Sequence, residues 1–483
     1  MRVPKPLFEQ TIGVPLLTVL FIYSNSTDLV GGGGFAILGL LLLNVLSCRS
    51  VPKQKILFLI YNLTFFLFLS ARTLVYLLMP EVADAVPRPF FTPEIERQVN
   101  ILLFLSLLIT RVFFSASFRF TAILDHKPSS DEYITKIRSI SKKLIVPTIV
   151  LNVAVLAEKI AFVTAYGYES YYVSFTSGLP TVLIRVAGLY PAILFLYLAT
   201  FPNRRATYIQ LLLYACVAAL SLGYGQRNGF ILGLVFVVIY LAIRDVLTPE
   251  RKPWLSKKLL LLGAQMLIPL IIFLAAFTYI RSDLEIVDQS TATLIGRFLA
   301  SQGGVIFNLG HTIDLNDQFP PWRFYSAGPV IGFLKENIIA TTVFGATVFP
   351  NASPELAIGG HNFSFALAYI VNPSYYALGG GFGSNFISEL WIDFGTAGVV
   401  VGSALFGLLL GRFTSMLRRG GPFFIAFMFA GALELIYAPR AEFLGFISPF
   451  LSMPTIAVYV TIHMIVRKSR KRVSRISNGH LDF

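Results

Sequence analysis

The chain has 483 residues, of which 55% are hydrophobic and only 13% are charged. Soluble domains carry about 25% charged residues, so this composition excludes a soluble globular protein and indicates an integral membrane protein. The formal net charge of +14 would suit a nucleic-acid partner, but the positions of the basic residues argue against one.

Apolar runs of about 20 residues recur along the whole chain, and each is long enough to cross a bilayer as an α-helix. We therefore predict an all-α polytopic membrane protein with about 12 transmembrane helices. The predicted spans lie at residues 8–24, 32–47, 56–78, 99–118, 144–165, 180–200, 207–222, 229–244, 259–279, 385–411, 421–437 and 443–466.

Four regions follow from these spans. Residues 1–279 hold the first nine helices, residues 280–384 form one large loop, residues 385–466 hold the last three helices, and residues 467–483 form a basic tail. If the N-terminus is cytoplasmic, most of the 39 lysines and arginines fall on the cytoplasmic side, as the positive-inside rule requires. Both termini are then cytoplasmic, and the large loop lies outside.

The basic tail "RKSRKRVSR" is more typical of an anchor against anionic lipid than of a nucleic-acid site. The large loop is less polar than its position suggests. Its segments "TLIGRFLASQGGVIFNLG" and "GPVIGFLKENIIATTVFG" favour amphipathic helices that lie against the bilayer or cover a cavity. A loop of this length in a compact protein is usually functional.

Arginines on the outer side need a reason, because the positive-inside rule disfavours them. Arg227 lies in the tight turn "SLGYGQRNGFILG", whose glycines let the backbone bend sharply. Arg440 lies in "YAPRAEF", between the last two spans. The other candidates are Arg281, Arg297 in "LIGRF" and Arg323 in "PPWRFY".

Each of these arginines has an ordinary alternative, since it can reach lipid headgroups or pair with Glu442, Asp283 or Glu285. Several converging arginines instead bind phosphates, through fixed charge and forked geometry. Arg72 and Arg185 fall within predicted spans, where charge is costly and tends to be functional. Together the arginines suggest a cavity for a lipid-linked phosphate or pyrophosphate.

His361 and Asn362 stand in "GGHNF", late in the large loop. A histidine with an ordinary pKa near 6.5 can act as a general base toward a sugar hydroxyl. The alternative is a structural residue that only donates and accepts hydrogen bonds. Asn362 can orient the ring or bind a sugar hydroxyl.

Glu389 follows the glycines of "GGGFGSNFISELWIDFG". The favoured interpretation is a helix start, with Ser384 or Asn385 as the N-cap and Glu389 in the early turns. A catalytic role for Glu389 is the alternative. The aromatic clusters at 166–172 and 319–325 either stack on sugars or form an interfacial belt, and the belt is the commoner case.

No metal or cofactor is predicted. The sequence contains no Asp-x-Asp, no His-Glu-x-x-His and no His or Cys pair at ligand spacing.

Three segments in order, "GQRNG" in a tight turn, "IGR" after the ninth span and "GGHNF" late in the loop, resemble bacterial O-antigen polymerases of the Wzy type. The segment "GGGFGSNFISELWIDFGTAGVVVG" is similar to a glycine- and glutamate-bearing helix start in those proteins. The related O-antigen ligases share the same plan. In topology the resemblance covers nearly the whole chain.

The resemblance implies a GT-C membrane glycosyltransferase in the bacterial inner membrane, with its active site facing the periplasm. It would join undecaprenyl-pyrophosphate-linked oligosaccharides with inversion and release undecaprenyl pyrophosphate. Arg227 and Arg297 would hold the pyrophosphate, and His361 would act as base or orient the acceptor. The activated donor carries the energy, so neither nucleotide nor metal is needed. Implied partners are these lipid-linked substrates, membrane lipids and a chain-length regulator protein.

Two other functions stay open at this point. An O-antigen ligase would differ in its acceptor, the lipid A core. A transporter or flippase of lipid-linked sugars would suit twelve helices, but the chain has no matching halves. Transporter sites also lie near the membrane midplane on interrupted helices, whereas the candidate residues crowd the predicted outer surface.

Overall fold

The structure is a computed structural model that describes residues 13–26, 32–118, 131–168, 170–248, 253–281 and 290–478. These residues form helices and turns and contain no strand. The all-α prediction is therefore confirmed.

A helix is present at each predicted span. These helices run over Val14–Ser26, Gly32–Ser47, Ile56–Leu78, Pro93–Ser117, Asp131–Tyr166, Thr181–Ala199, Arg204–Tyr224, Arg227–Leu247, Lys257–Arg281, Phe386–Arg419, Pro422–Tyr437 and Met453–Asn478.

Within the described residues, nine helices are long and apolar enough to cross a membrane, and a bent pair, Gly445–Leu451 with Met453–Lys468, makes ten. The prediction of about 12 is higher because the first two helices are short. Val14–Ser26 has 13 residues, which is about 20 Å of helix against a hydrocarbon core of about 30 Å.

The chain divides into two compact units. Unit 1 comprises Met1–Thr121, Leu241–Thr414 and Glu434–Gly445, and unit 2 comprises Ala122–Tyr240, Ser415–Leu433 and Phe446–Phe483.

Small and polar residues join the helices of unit 1. The Ser106 and Ser403 hydroxyls lie 2.8 Å apart, and the Thr110 hydroxyl donates to the Ser403 carbonyl at 3.2 Å. A Cβ at Gly407 would come within 2.5 Å of the Thr110 carbonyl oxygen, so only glycine allows this approach. Such close backbone contact and interhelical hydrogen bonds are what hold helices together in lipid.

Unit 2 is tied by long-range hydrogen bonds and a tight turn. Tyr459 donates its hydroxyl to the Ala192 carbonyl at 2.7 Å. The turn before Arg227 depends on Gly225, whose φ is 83°, a conformation that glycine adopts without strain. The Ser221 hydroxyl closes the turn by donating to the Gln226 carbonyl at 2.8 Å.

The 290–385 segment of unit 1 is largely helical. Both stretches predicted to be amphipathic helices are helical, the first as Thr291–Gln302 and Ile306–Asp314 and the second as Gly328–Glu336 and Ile338–Val343. The later helices of the segment are Pro354–Gly359, Phe363–Val371 and Pro373–Ala377. The segment has its own apolar core, which consists of Phe319, Tyr325, Phe363, Ala366 and Leu367.

The helix Phe386–Arg419 has 34 residues and is broken at Gly395, where φ is 61°. The Asn385 side chain caps its start by accepting from the Ser388 amide at 2.8 Å, which confirms the predicted N-cap. Residues 396–419 alone extend about 36 Å, enough to cross a bilayer. The turns before Gly395 are therefore not needed for a span.

Candidate active site

His361 is held by protein partners at both ring nitrogens. Its Nδ1 contacts the Arg323 carbonyl oxygen, and its Nε2 lies 3.0 Å from the Lys335 ammonium. A carbonyl only accepts and an ammonium only donates, so the proton is assigned to Nδ1 and the lone pair to Nε2. In this assignment the Nε2 lone pair already accepts from Lys335.

Backbone packing fixes where His361 lies. A Cβ at Gly328 would come within 2.3 Å of the His361 carbonyl oxygen. Half-buried Asp393 accepts from the Tyr325 amide at 3.0 Å and the Ser326 amide at 2.7 Å. These contacts place residues 323–328 against His361 from one side.

Arg323 lies on the same stretch and uses its backbone for His361. Its Nη1 donates to the Gly359 carbonyl at 3.2 Å, while its buried Nε has no hydrogen-bond partner. The neighbouring Trp322 has a positive φ of 61° and is 83% exposed. Of the aromatic cluster at 319–325, Trp322 is thus the ring most available for stacking, since Phe319 and Tyr325 are core residues.

Asn362 connects the 290–385 segment to the 438–445 turn, which follows the helix Pro422–Tyr437. Its Oδ1 accepts from the Phe365 amide at 3.1 Å and caps the helix Phe363–Val371. Its Nδ2 donates to Glu442 Oε1 at 2.9 Å. One side chain therefore both starts a helix and positions a carboxylate.

Arg440 projects from the 438–445 turn toward Phe68. Its guanidinium lies 5.5 Å from the centre of the Phe68 ring and faces Gly383, whose φ is 77°. Phe68 belongs to the π-helical stretch Phe66–Ser70, an irregularity frequent at functional sites. In the described part of the chain, Arg440 has no ion pair and no hydrogen bond from its side chain, so the alternative role, pairing with Glu442, is not observed.

Glu389 anchors the same turn from within the protein. It is fully buried, and it accepts from the Ser384 hydroxyl at 2.6 Å and the Phe443 amide at 2.7 Å. Both of its oxygens thus accept hydrogen bonds from the protein, which supports the favoured structural interpretation over the catalytic alternative.

From the sequence, Glu442 was considered only as an ion-pair partner, so its contact with Asn362 was missed. It is half-buried, and burial raises the pKa of its carboxyl above the ordinary value. Its position two residues after Arg440 in a short turn was the available signal.

Arg297 lines a cavity of about 280 Å³ together with Val86, Pro87, Thr278 and Ser301. Its Nε is buried without a hydrogen-bond partner. Over the described ranges, its guanidinium makes no ion pair or hydrogen bond with the protein.

Arg72 shapes the wall of that cavity. It is 8% exposed, and its Nη2 donates to the Ala83 carbonyl at 2.9 Å and the Val86 carbonyl at 2.7 Å. A charged group inside a predicted span thus has a structural use, because it holds the loop whose residue Val86 lines the Arg297 cavity.

The predicted site residues therefore fall into three groups. The first group lies in unit 1 and has six members. Arg297 lines its cavity, and the others are connected through the contacts described above, namely Arg323, His361, Asn362, Glu389 and Arg440. Arg227 is half-buried at the first position of its helix in unit 2. The side chain of Arg281 lies outside the described residues. Among the described residues, no three His, Cys, Asp or Glu side chains are grouped as metal ligands.

The sequence model of one protein family, described as O-antigen polysaccharide polymerase Wzy, matches residues 9–472, nearly the whole chain. No curated protein and no solved structure matches the chain. The family acts on lipid-linked oligosaccharides in bacterial membranes, and the helical, multi-pass architecture agrees with that setting. The chain belongs to the O-antigen polysaccharide polymerase Wzy family.

Proposed function

We propose that this glycosyltransferase-type polymerase joins undecaprenyl-pyrophosphate-linked repeat units at the periplasmic face of the inner membrane. The reaction inverts the anomeric carbon, uses no metal or nucleotide, and releases undecaprenyl pyrophosphate. The observation that carries the proposal is the guanidinium of Arg297, which lines a cavity and has no partner for its charge among the described residues.

A guanidinium presents five N–H donors and keeps its charge at any physiological pH. Leaving such a charge uncompensated and partly buried costs several kcal/mol. An anion bound in the cavity offsets that cost, and a pyrophosphate accepts from the forked donors in a bidentate way. The cavity therefore suits the leaving group of a lipid-linked sugar.

In this reaction the acceptor hydroxyl oxygen forms a bond to the anomeric carbon of the donor. The bond from that carbon to the pyrophosphate oxygen breaks, and the leaving group takes the electron pair. Negative charge grows on the pyrophosphate, so a fixed arginine lowers the barrier. One such electrostatic donor contributes about 3 kcal/mol.

The other candidates take supporting roles in the proposal. Arg440, whose donors have no protein partner in the described residues, is a second ligand for the pyrophosphate. Arg281 and Arg323 are predicted to add further positive charge, and the role that the resemblance gives Arg227 stays a prediction. His361 orients the acceptor rather than acting as the base, because its Nε2 lone pair already accepts a hydrogen bond from Lys335. A chain-length regulator stays a predicted partner.

The test uses purified protein in detergent with EDTA and the cognate undecaprenyl-pyrophosphate-linked repeat unit, and products are separated by size. We expect a ladder from the wild type and a rate about 10²–10³-fold lower in Arg297→Gln. Arg297→Lys should lose nearly as much, because a point charge does not replace a forked donor. Arg205→Lys, at an exposed arginine, is the matched control.

Two results would refute the proposal. If the wild type forms no ladder but transfers a chain to a lipid A core acceptor, the protein is a ligase. If Arg297→Gln polymerises as fast as Arg205→Lys, the cavity does not bind the leaving group.

A further inference from the structure

We propose that Glu442 is the group that accepts the proton from the acceptor hydroxyl, and that Asn362 holds its carboxylate in place. The inference rests on the proposed polymerase reaction and names a catalytic residue for it.

The first argument is the separation of Arg440 and Glu442 within one turn. The two residues carry opposite charges and stand two positions apart, yet they form no ion pair. Arg440 turns toward Phe68 and Gly383, while Glu442 turns toward Asn362. The turn thus holds one cation and one anion apart from each other, each directed to a different part of unit 1, so the carboxylate is not neutralised by the arginine of its own turn.

The second argument concerns which acceptor atoms of Glu389, His361 and Glu442 already accept hydrogen bonds. Glu389 has both carboxylate oxygens occupied and is fully buried, and the His361 Nε2 already accepts from Lys335. Glu442 accepts from Asn362 through Oε1 only, and its Oε2 has no hydrogen-bond partner in the described residues. Because Glu442 is also half-buried rather than enclosed, its Oε2 can meet a substrate hydroxyl.

Two carboxylates face Glu442 from neighbouring helices. The carboxylates of Glu389, on the helix Phe386–Arg419, and Glu434, on the helix Pro422–Tyr437, interact with it electrostatically. Burial raises the pKa of Glu442, which makes its carboxylate a stronger proton acceptor. The Asn362 amide donates to the ionised form.

The step balances within the proposed reaction. The acceptor hydroxyl gives its proton to Glu442 Oε2 while its oxygen bonds to the anomeric carbon. The donor's bond to pyrophosphate breaks, and the pyrophosphate leaves with the electron pair. Glu442 then returns the proton to solvent, so no oxidant, reductant or additional reactant is involved.

The test compares Glu442→Gln with Glu355→Gln, an exposed glutamate of the 290–385 segment, in the ladder assay. Glutamine keeps an oxygen for Asn362, so the fold should be retained. We expect kcat to fall about 10²–10⁴-fold in Glu442→Gln, with KM for the repeat unit unchanged. Glu442→Asp should recover part of the rate, and Glu355→Gln should behave as wild type.

The pH profile separates catalysis from structure. The wild-type rate should fall in acid as Glu442 becomes protonated, and Glu442→Gln should lack that acidic fall. Asn362→Asp keeps an oxygen to cap the helix Phe363–Val371, but it replaces the amide that donates to Glu442 by a second carboxylate. This like charge raises the pKa of Glu442, so the decrease of the rate in acid should begin at higher pH. This second variant tests the assignment even if Glu442→Gln unfolds.

Three outcomes would overturn the assignment. The first is a Glu442→Gln enzyme that keeps more than a tenth of the wild-type kcat. The second is a decrease of the rate in acid that persists in Glu442→Gln but disappears in His361→Gln. The third is a decrease of the rate in acid that disappears only in Glu434→Gln. A wild-type protein that forms no ladder would instead refute the proposed function itself.

Discussion

Replacing Gly328 with alanine tests the position of His361 without altering its ring. Gly328 is the first residue of the helix Gly328–Glu336, where alanine is normally favoured over glycine by up to about 1 kcal/mol. The added Cβ would lie 2.3 Å from the His361 carbonyl oxygen, whereas ordinary contact begins at 3.4 Å. The backbone of His361 must therefore move by about 1 Å.

A displacement of this size at a catalytic geometry lowers a rate by about 10²-fold. Rates of ladder formation from the lipid-linked repeat unit would be measured for Gly328→Ala and for Gly263→Ala. Gly263 lies in the helix Lys257–Arg281, and a Cβ there meets nothing within 4 Å. The control should keep the wild-type rate.

If Gly328→Ala polymerised as fast as Gly263→Ala, the placement of His361 would not matter for the reaction. Both proteins must show the same helical content, since otherwise the comparison would report misfolding. Helix propensity alone predicts no loss from either substitution, so a loss in one of them identifies the contact with His361.

Two further predictions concern stability, measured by thermal unfolding in detergent. Glu389→Leu should lower the free energy of unfolding by about 1–3 kcal/mol relative to Glu389→Gln, because leucine leaves the buried Phe443 amide without an acceptor; equal stabilities would contradict the anchor role. Burial lowers the pKa of His311, so the wild type should lose stability as pH falls below about 6.5. His311→Phe should lack this acid-dependent loss of stability. A difference in the free energy of unfolding between wild type and His311→Phe that stays constant as the pH falls below about 6.5 would contradict this explanation.

The helices could be predicted because a membrane span is a local property of the sequence. About 20 consecutive apolar residues define it, and each predicted span contains a helix. The break at Gly395 and the π-helical stretch Phe66–Ser70 were not predicted. Both are changes of backbone angle within an apolar run, and hydropathy does not respond to them.

The sequence predicted which residues are candidates for the site, but not which of them contact one another. His361, Asn362 and the arginines stood out because polar groups are rare in this chain. Their contacts join residues that are distant in sequence, such as Lys335 with His361 and Asn362 with Glu442, so no local pattern contains them. Pairing with Glu442 was the ordinary alternative for Arg440, but the two side chains, at the 3-10 turn Ala438–Arg440 and just after it, have different partners.

The distribution of partners among the charged groups indicates which of them serve the fold and which serve the substrate. Glu389 and Arg72 are buried and hydrogen-bonded to protein groups, so they hold backbone segments in place. Arg297 and Arg440 lack such partners in the described residues, and Glu442 has one. Unpaired charge away from water is costly, and a fold retains it where a ligand supplies the missing partner. These two guanidiniums, with no partner in the part of the chain that the structure describes, suit a bound pyrophosphate. The carboxylate of Glu442, which has one oxygen without a hydrogen bond there, suits a substrate hydroxyl.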